Sequence, residues 1–488
     1  MLQTNPALEY SVLPKTFYER VPPAMFANLN LVALNESLAR DFSLDPAWLR
    51  GGDGLKFLAG AVSAEPEGSV AMAYAGHQFG QWSGLLGDGR ARLVGEVLDQ
   101  SGARHEIHLK GAGATPYSRG GDGRATLGAA IREYIVSEGM FTLGVATTGS
   151  LAIVTTGETV RRNGDEPGAV LARTARSHIR VGTFQYAAAF NDQDDVKALA
   201  DFAIDRLYPD APPAGAERYR HFYRQVISRQ AKLVADWMAL GFIHGVMNTD
   251  NMTVSGETID YGPCAFMDEF HPGKVFSSID RQGRYAWNKQ PEMAHWNVVR
   301  LAETLLRLFG DDEAERNSFI QRTLIEFGST FEREFDTAFT GKFALGRSRG
   351  ERAESLPALF STMVEGKCDF TRLFTALTRH AGGEPESIVM DEFADRTVGA
   401  RFLETWRTAA GAPIDAGRLQ TMKNSNPVII PRNHQVERAI ADADSGDLST
   451  FNRLFDALRA PYVENSANAD FEAAPQPEEI VRQTFCGT

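Results

Sequence analysis

Cysteine is scarce in this 488-residue chain. The sequence has three cysteines, which lie far apart, at Cys264, Cys368 and Cys486. Three scattered thiols provide neither a disulfide framework nor the ligands of a cysteine-rich zinc site, and they are typical of a protein in a reducing compartment. We therefore expect a cytoplasmic protein.

Long apolar runs and a targeting segment are also lacking. No run reaches the ~18 consecutive apolar residues that a membrane-spanning helix requires. Residues 1–10 have neither the charged and apolar regions of a secretory signal nor the Arg-rich, acid-poor pattern of a transit peptide. These absences predict no membrane span and favour the same compartment.

Positive charge is in deficit, since 50 Lys and Arg residues face 63 Asp and Glu residues, which gives a formal net charge of -13. This balance disfavours nucleic acid or an anionic membrane as the main partner, so any bound phosphate needs a local basic cluster. With 43% hydrophobic and 23% charged residues, the chain is otherwise an ordinary globular protein, and we expect a monomer.

The most informative stretch is 244–262. Two short β-prone runs, 252–254 and 258–259, flank a small polar connection and predict a tight hairpin that brings Asn251 and Asp260 together. An amide oxygen and a carboxylate are hard ligands of the kind that Mg2+ accepts when it is bound to substrate phosphates. Capping of the hairpin is the alternative for either residue alone. The pair predicts a metal-nucleotide site for Mg2+, with Mn2+ as the alternative cation.

A Gly-rich turn that contains Gly87, Gly89 and Arg90 leads into a strand predicted over 92–98. Glycines allow the backbone to approach a phosphate closely, and Arg90 adds positive charge. A hairpin turn without a ligand explains the glycines equally well. Phosphate binding by this turn is supported only by the elements that follow it in the chain.

The next predicted strand, 104–110, ends in Lys110, and a helix predicted from 126 to 138 carries Glu133, within reach of that lysine. In the small lobe of protein kinases, a Gly-rich turn, a strand that ends in Lys and a helix that carries Glu occur in this order. There the Lys holds phosphates and the Glu orients the Lys. A solvated strand end is the alternative for Lys110 alone.

Two further clusters favour an anionic ligand. Arg173, Arg176 and Arg180 lie within eight residues, and guanidinium groups form bidentate pairs with phosphate or carboxylate. A second Gly-rich loop contains Asp122 and Gly123. Internal salt bridges are the alternative for the arginines, and a flexible surface turn is the alternative for the loop.

The overall pattern predicts an α+β protein with a protein-kinase-like bilobal fold, in which a small β-rich lobe precedes a large helical lobe with a C-terminal helical extension. Pro and Gly residues over 209–216 mark the predicted lobe boundary. The predicted parts are an N-terminal extension packed on the catalytic core over 1–75, a nucleotide-binding lobe over 76–210, a helical lobe with the catalytic hairpin over 211–415, and a helical extension over 416–488. Within the N-terminal extension, a helix is predicted over 31–42. The C-terminal tail is predicted to be mobile from Asn465.

The central stretch departs from protein kinases at one position. Kinase catalytic loops place the base Asp five residues before the metal-binding Asn. With Asn251 as that Asn, Val246 occupies the position of the base. Asp250 is the nearest carboxylate that can replace it. The spacing therefore predicts a kinase-like ATP site with altered chemistry.

Longer motifs occupy 87–90, 109–119, 121–124, 173–180, 247–252, 260–263 and 426–434. Together they resemble the selenoprotein O (SelO) family over most of the chain. The resemblance implies a kinase-like fold and a protein adenylyltransferase, which transfers AMP from ATP to Ser, Thr or Tyr hydroxyls of other proteins, with ATP held in a flipped orientation.

The same resemblance implies roles for individual residues. It makes Asp250 the proton acceptor, Asn251 and Asp260 the magnesium ligands, and Glu133 the partner of Lys110. The flipped orientation turns the β- and γ-phosphates inward and leaves the α-phosphate exposed to an incoming hydroxyl. The residues implied to contact ATP are Gly87, Gly89, Arg90, Lys110, Asp122, Gly123, Arg173, Arg180 and Asp260.

Two departures from the family concern sulfur. Selenium-containing relatives carry selenocysteine near the C-terminus, and Cys486 takes that place here. Many relatives carry Cys in the loop after the Asp-Tyr-Gly motif, whereas residues 274–278 in this loop contain none. A redox bridge is therefore not expected, and Cys264, the nearest other thiol, is expected to be buried and inert.

Two other functions are compatible with the pattern. A phosphotransferase with Asp250 as its base is disfavoured by Val246 and by the arginine cluster. A catalytically silent ATP-binding scaffold is disfavoured by the presence of Lys110, Asn251 and Asp260.

Overall fold

The computed structural model describes residues 8–485, apart from 65–67, 163, 347–348 and 412. It is a mixed α/β structure with one large antiparallel sheet and many helices. The strands are β1 (Tyr18–Val21), β2 (Asn30–Leu34), β3 (Ser69–Met72), β4 (Gly76–Gln78), β5 (Gln81–Ser83), β6 (Ala91–Leu98), β7 (Arg104–Lys110), β8 (Ala125–Thr126), β9 (Gly149–Arg161), β10 (Asp165–Ala175), β11 (Phe242–Ile243) and β12 (Ala265–Phe266). The helices are α1 (Glu36–Asp41), α2 (Pro46–Arg50), α3 (Gly52–Leu58), α4 (Leu127–Thr142), α5 (Val181–Phe190), α6 (Gln193–Leu207), α7 (Ala216–Ala239), α8 (Gln290–Leu305), α9 (Glu313–Phe343), α10 (Arg349–Glu365), α11 (Phe370–Ala381), α12 (Ser387–Met390), α13 (Arg396–Ala410), α14 (Ala416–Ser425), α15 (Asn433–Asp444), α16 (Ser449–Leu458) and α17 (Ala469–Glu472).

The large sheet has the strand order β1-β3-β6-β7-β10-β9-β2, and the short β8 pairs with β10. The strands predicted over 92–98 and 104–110 are confirmed as β6 and β7. β7 lies between β6 and β10, so Lys110 at its end is opposite Ala91 on one side and Leu171 on the other. The residues of the predicted N-terminal extension contribute β1, β2 and β3 to this same sheet.

Helix α4 carries Glu133 and packs its apolar face against β9, β10, α15 and α16. Thr126 caps its N-terminus. The helix predicted over 126–138 is confirmed, but it continues past Gly139 to Thr142. Gly139 lies inside the helix, at a position where a Cβ would be 2.6 Å from the ring of Pro431. The glycine therefore permits close packing against the C-terminal part of the chain.

The helical part of the molecule surrounds a second core, to which α7, α8, α9, α11 and α13 contribute. The long helix α7 leads through β11 directly into the stretch that carries Asp250. Among the described residues, no helix is both long and apolar enough to cross a membrane.

The single helix predicted over 31–42 is wrong. β2 pairs with β9 at the edge of the sheet, and α1 begins only after Asn35, whose side chain accepts a hydrogen bond from Leu38 N at 3.1 Å. The apolar spacing of a helix face is present in the sequence. Pairing with a long strand and a capping residue in the middle of the segment decide the local structure instead.

The hairpin predicted around 255–257 does not form as a pair of strands. Thr253 bridges Arg180, and Thr258 bridges Thr147. The turn between them is closed by the Thr253 hydroxyl, which donates to Glu257 O at 2.7 Å. Both runs therefore connect to other parts of the chain rather than to each other.

The C-terminal segment, predicted to be mobile from Asn465, packs on the protein as far as the structure describes it. Phe471 is buried in the apolar cluster to which α4, α15 and α16 contribute. Thr484 N donates to Phe276 O at 2.8 Å, and its hydroxyl donates to Pro263 O at 2.6 Å. Cys486 lies outside the described residues.

Candidate active site

A cleft of about 580 Å3 lies between the sheet and the loop that follows β11. Glu133 lies behind this cleft, in contact with Lys110. Arg176 does not line the cleft, and its backbone N–H donates to Glu257 at 3.3 Å. The other residues predicted to bind ATP or metal all line it, namely Gly87, Gly89, Arg90, Lys110, Asp122, Gly123, Arg173, Arg180, Asp250, Asn251 and Asp260.

Lys110 stands at the end of β7 between two carboxylates. Its Nζ lies 2.6 Å from Glu133 Oε2 of α4, and it also pairs with Asp260. Burial opposes ionisation of both carboxyl groups, but the positive charges of Lys110 and Arg173 outweigh burial and hold the pKa of each carboxyl below its usual value. Both carboxyl groups are therefore anionic at neutral pH.

Arg173 in β10 and Arg180 before α5 line the cleft with almost fully buried side chains. Arg173 Nη1 donates to Glu133 Oε1 at 3.0 Å. The Arg180 guanidinium stacks on Tyr74, with Cζ 4.2 Å from the ring centroid. Tyr74 has no signal in the sequence, because an isolated aromatic residue does not indicate which charge it will face.

Asp250 lies in a 3-10 turn over Thr249–Asn251 and is buried. It makes no ion pair with the described residues, and its Oδ1 has no hydrogen-bond partner among them. Burial outweighs the attraction of Arg180 and raises the pKa of Asp250 to about 6. Gly76 packs against the carboxyl group, since a Cβ at this position would lie 2.6 Å from Oδ1. A carboxyl group without an ion pair and with a raised pKa has the properties of a proton acceptor.

Asn251 and Asp260 present oxygen atoms on the same cleft. Asn251 Nδ2 donates to Val246 O at 3.1 Å, so its amide nitrogen is engaged and its oxygen is the group available to a cation. Asp260 has a φ of 66°, an uncommon conformation for a residue other than glycine. Such backbone conformations concentrate at functional sites.

The β4–β5 hairpin, which is absent from the sequence-based predictions, covers the loop that carries Asp250. Its backbone N–H groups donate to Thr249 Oγ1 at 2.7 Å and to Asn248 Oδ1 at 2.9 Å. Gln78 Nε2 lies 3.5 Å from Asp250 Oδ2. The glycine at Gly76 was the one available signal, since its lack of a side chain allows this close approach.

The two Gly-rich loops pack against each other beside the cleft. Gly87 and Gly123 have φ values of 63° and 67°. A Cβ on Gly87 would lie 2.3 Å from the Tyr117 ring of the second loop, and one on Gly123 would lie 2.2 Å from the backbone of Gly113. Asp122 accepts hydrogen bonds from Arg162 Nη1 at 2.9 Å and Nη2 at 2.8 Å, which lower its pKa to about 2. Arg162, absent from the sequence-based predictions, thus holds the second loop.

Comparison with known proteins identifies the family. The family model described as "Protein adenylyltransferase SelO" matches residues 1–459. This chain belongs to the SelO family. Proteins named "Protein nucleotidyltransferase YdiU" are 50% identical in Bradyrhizobium sp. (strain ORS 278) and 48% identical in Rhodopseudomonas palustris (strain BisB18), each over 98% of both chains. The predicted family is confirmed, and the chain is an enzyme of the nucleotidyltransferase class.

The oxygen ligands of this SelO-family protein fit a hard divalent cation that takes its remaining ligands from a bound nucleotide. Asn251 and Asp260 offer an amide oxygen and a carboxylate, which are the ligand types that Mg2+ prefers. Within the described ranges, no group of three His, Cys, Asp or Glu residues is placed to hold a metal ion. Phosphate oxygens and water would complete the coordination of a Mg2+ ion held by these two residues.

The described thiols of the SelO-family protein are buried, as predicted for Cys264. Cys264 is fully buried, and burial raises its pKa to about 12. Cys368 is also fully buried, and burial raises its pKa above the usual value. Neither group provides a reactive thiolate at neutral pH.

Proposed function

We propose that this protein transfers AMP from ATP to Ser, Thr or Tyr hydroxyls of other proteins and releases pyrophosphate. The observation that carries the proposal is the separation of charge in the cleft. Lys110, Arg173 and Arg180 form a buried group of cations, whereas Asp250 makes no ion pair with the described residues.

This separation favours one orientation of ATP. Most of the negative charge of ATP lies on its β- and γ-phosphates, which the three cations attract most strongly. With these phosphates on the cations, the α-phosphorus is the reacting atom nearest to Asp250. The opposite orientation would present the γ-phosphate to Asp250 and support phosphoryl transfer. It would, however, place the three cations beside the α-phosphate, which carries less negative charge than the terminal phosphates.

The proposed reaction forms a bond between the acceptor oxygen and the α-phosphorus. The bond from that phosphorus to the oxygen bridging to the β-phosphate breaks, and the hydroxyl proton passes to Asp250. Lys110, Arg173 and Arg180 stabilise the negative charge of the departing pyrophosphate. Mg2+ bound at Asn251 and Asp260 would neutralise phosphate charge.

We also propose a kinase-like bilobal organisation. Its support is the ion pair between a lysine at the end of a strand and a glutamate on the adjacent helix, together with the pair Asn251 and Asp260 in the cleft. In this proposal residues 76–210 form the nucleotide-binding lobe and 211–415 the helical lobe. Residues 1–75 and 416–488 form the extensions.

The position of the transferred phosphorus tests the function. The purified chain is incubated with Mg2+, a mixture of cytosolic proteins and ATP labelled at either the α- or the γ-phosphate. Retention of the α-label on protein, with a mass increase of one AMP, is the expected result. Retention of the γ-label would identify a phosphotransferase instead, and ATP binding without retention of either label would identify a silent scaffold.

A further inference from the structure

His108 lies in the middle of β7, fully buried, and contacts no solvent. Its Nδ1 is 3.0 Å from Arg173 Nε, which belongs to the residue opposite it on β10. Its Nε2 is 3.0 Å from Asp88 Oδ2. An arginine Nε always carries hydrogen, so Nδ1 must accept and Nε2 must carry the ring proton that is donated to Asp88. The contacts therefore fix one neutral tautomer of His108.

Asp88 lies between Gly87 and Gly89 and is also buried. Its Oδ2 additionally accepts a hydrogen bond from Met72 N at 3.0 Å. Its other oxygen, Oδ1, lies 3.7 Å from Arg180 Nη1 and has no hydrogen-bond partner among the described residues. A continuous series of polar contacts thus runs from Arg173 through His108 and Asp88 to Arg180.

These contacts join two arginines that come from different elements and whose like charges repel each other. Each arginine retains other N–H groups for a ligand, because on Arg173 His108 engages Nε and Glu133 engages Nη1, and Asp88 faces only Nη1 of Arg180. Burial of polar groups is costly, and apolar residues of similar volume would give this strand an equally good core. The series is therefore better explained by the orientation of the arginines than by stability.

We propose that His108 and Asp88 are positioning residues that hold Arg173 and Arg180 as a preformed pair for the two terminal phosphates of ATP. Because the arginines are fixed before the nucleotide arrives, less side-chain freedom is lost on binding. Fixed donors also need no rearrangement when charge develops on pyrophosphate. The role in the reaction rests on the proposed function. The predicted affinity for phosphates does not, since it is expected whichever group is transferred.

A second histidine provides the matched control. The His178 ring stacks on His108, with centroids 4.4 Å apart, and is equally buried. Its Nδ1 lies 2.7 Å from Glu106 Oε2, so its polar contact leads away from Arg173 and Arg180. Replacement of His178 disturbs the same packing but leaves the series of contacts between the arginines intact.

The test compares binding of inorganic pyrophosphate and of adenosine by calorimetry in the presence of Mg2+. His108→Asn keeps an acceptor near Nδ1 and loses the donor to Asp88, whereas His108→Gln keeps the donor and loses the acceptor for Arg173. We expect each variant to bind pyrophosphate about tenfold more weakly, as for the loss of a buried hydrogen bond to a charged group, with adenosine affinity unchanged. His178→Asn should lower the melting temperature and leave pyrophosphate affinity within about twofold of the original.

Three results would overturn the proposal: unchanged pyrophosphate affinity in folded His108 variants, equal weakening of adenosine and pyrophosphate, or an equal loss of pyrophosphate affinity in His178→Asn. If the His108 variants do not fold, Asp88→Asn provides the same comparison of pyrophosphate and adenosine binding, because asparagine has the shape of aspartate. The binding measurement involves no group transfer. If the labelling experiment shows γ-phosphate transfer, the proposed function fails while the positioning role can still be supported.

Discussion

Lys110 Nζ lies 2.6 Å from Glu133 Oε2, and this contact joins the end of β7 to helix α4. The same ammonium group pairs with Asp260, the predicted metal ligand. Lys110 thus has two carboxylate partners. Glu133 orients it, and Asp260 would bind a cation in its place. A cation bound at Asp260 would therefore change a contact of the lysine that also pairs with Glu133 of α4.

The shared lysine makes the effects of two substitutions dependent on each other. We expect Lys110→Met to lower kcat/KM for ATP by more than 100-fold and Glu133→Gln to lower it by about tenfold. The double variant should lose less than the product of the two factors, because Glu133 acts in part through Lys110. Steady-state kinetics on the four proteins measures this coupling. Losses that multiply would show that the two residues act independently.

Replacement of Asp250 should separate binding from chemistry. Asp250→Asn preserves the shape of the side chain but cannot accept the hydroxyl proton as a carboxylate does. We expect label transfer to fall by roughly 100- to 10,000-fold, the usual contribution of a general base, with ATP affinity nearly unchanged. Asp53→Asn, at a largely exposed carboxylate, is the control and should retain full activity. Undiminished transfer by Asp250→Asn would exclude its role as the proton acceptor.

The cation ligands are tested by titration with Mg2+. We expect Asn251→Ala and Asp260→Asn to raise the Mg2+ concentration that gives half-maximal activity, since each removes or weakens one oxygen ligand. The exposed Asn288 supplies a matched amide control, Asn288→Ala, which should leave the titration unchanged. A normal titration curve with a reduced maximum would instead place the two residues outside the cation site.

Glu138 predicts a pH dependence of stability. It is buried at the end of α4 and accepts hydrogen bonds from Asn35 Nδ2 at 2.6 Å and Ser150 N at 2.9 Å. Burial nevertheless raises its pKa from 4.5 to about 7. Because the folded protein holds this proton more tightly than the unfolded chain does, the contribution of Glu138 to stability is greatest below pH 4.5 and is lost as the pH rises through about 7.

Comparison with Glu138→Gln isolates this contribution, since glutamine does not titrate. Urea unfolding between pH 5 and pH 8 should show the original protein losing stability relative to the variant by about 2.5 kcal/mol. Glu36→Gln, on an exposed ion pair, is the control and should show no comparable trend. A constant difference between Glu138→Gln and the original protein across this range would contradict the raised pKa.

The buried thiols predict low reactivity. In a Cys486→Ser variant, the described cysteines Cys264 and Cys368 are the ones left, and both are buried with raised pKa values. We expect no reaction of this variant with an aromatic disulfide reagent in its folded state and full reaction in denaturant. Rapid modification of the folded variant would show that one of these thiols is accessible.

Local sequence patterns were sufficient for the elements that depend on short-range periodicity. β7 was predicted with the bounds that the structure gives it, and α4 was predicted from its capping Thr126 and its apolar spacing. The segment 31–42 was predicted wrongly, because helix-like spacing does not reveal that a neighbouring strand such as β9 is available for pairing. The two runs around 255–257 have strand character, but their partners at Thr147 and Arg180 are distant in sequence.

The sequence by itself determined the family and the enzyme class and singled out several of the residues that line the cleft, because motifs such as Met-Asn-Thr-Asp-Asn-Met252 are long and specific. Only the tertiary structure decided how those residues are connected. It placed Tyr74 on Arg180, Arg162 on Asp122, and His108 between two charged groups. The physical reason is that contacts within a buried cluster depend on which strands pair and which loops meet. A histidine or tyrosine carries no local mark of the charge that it will face.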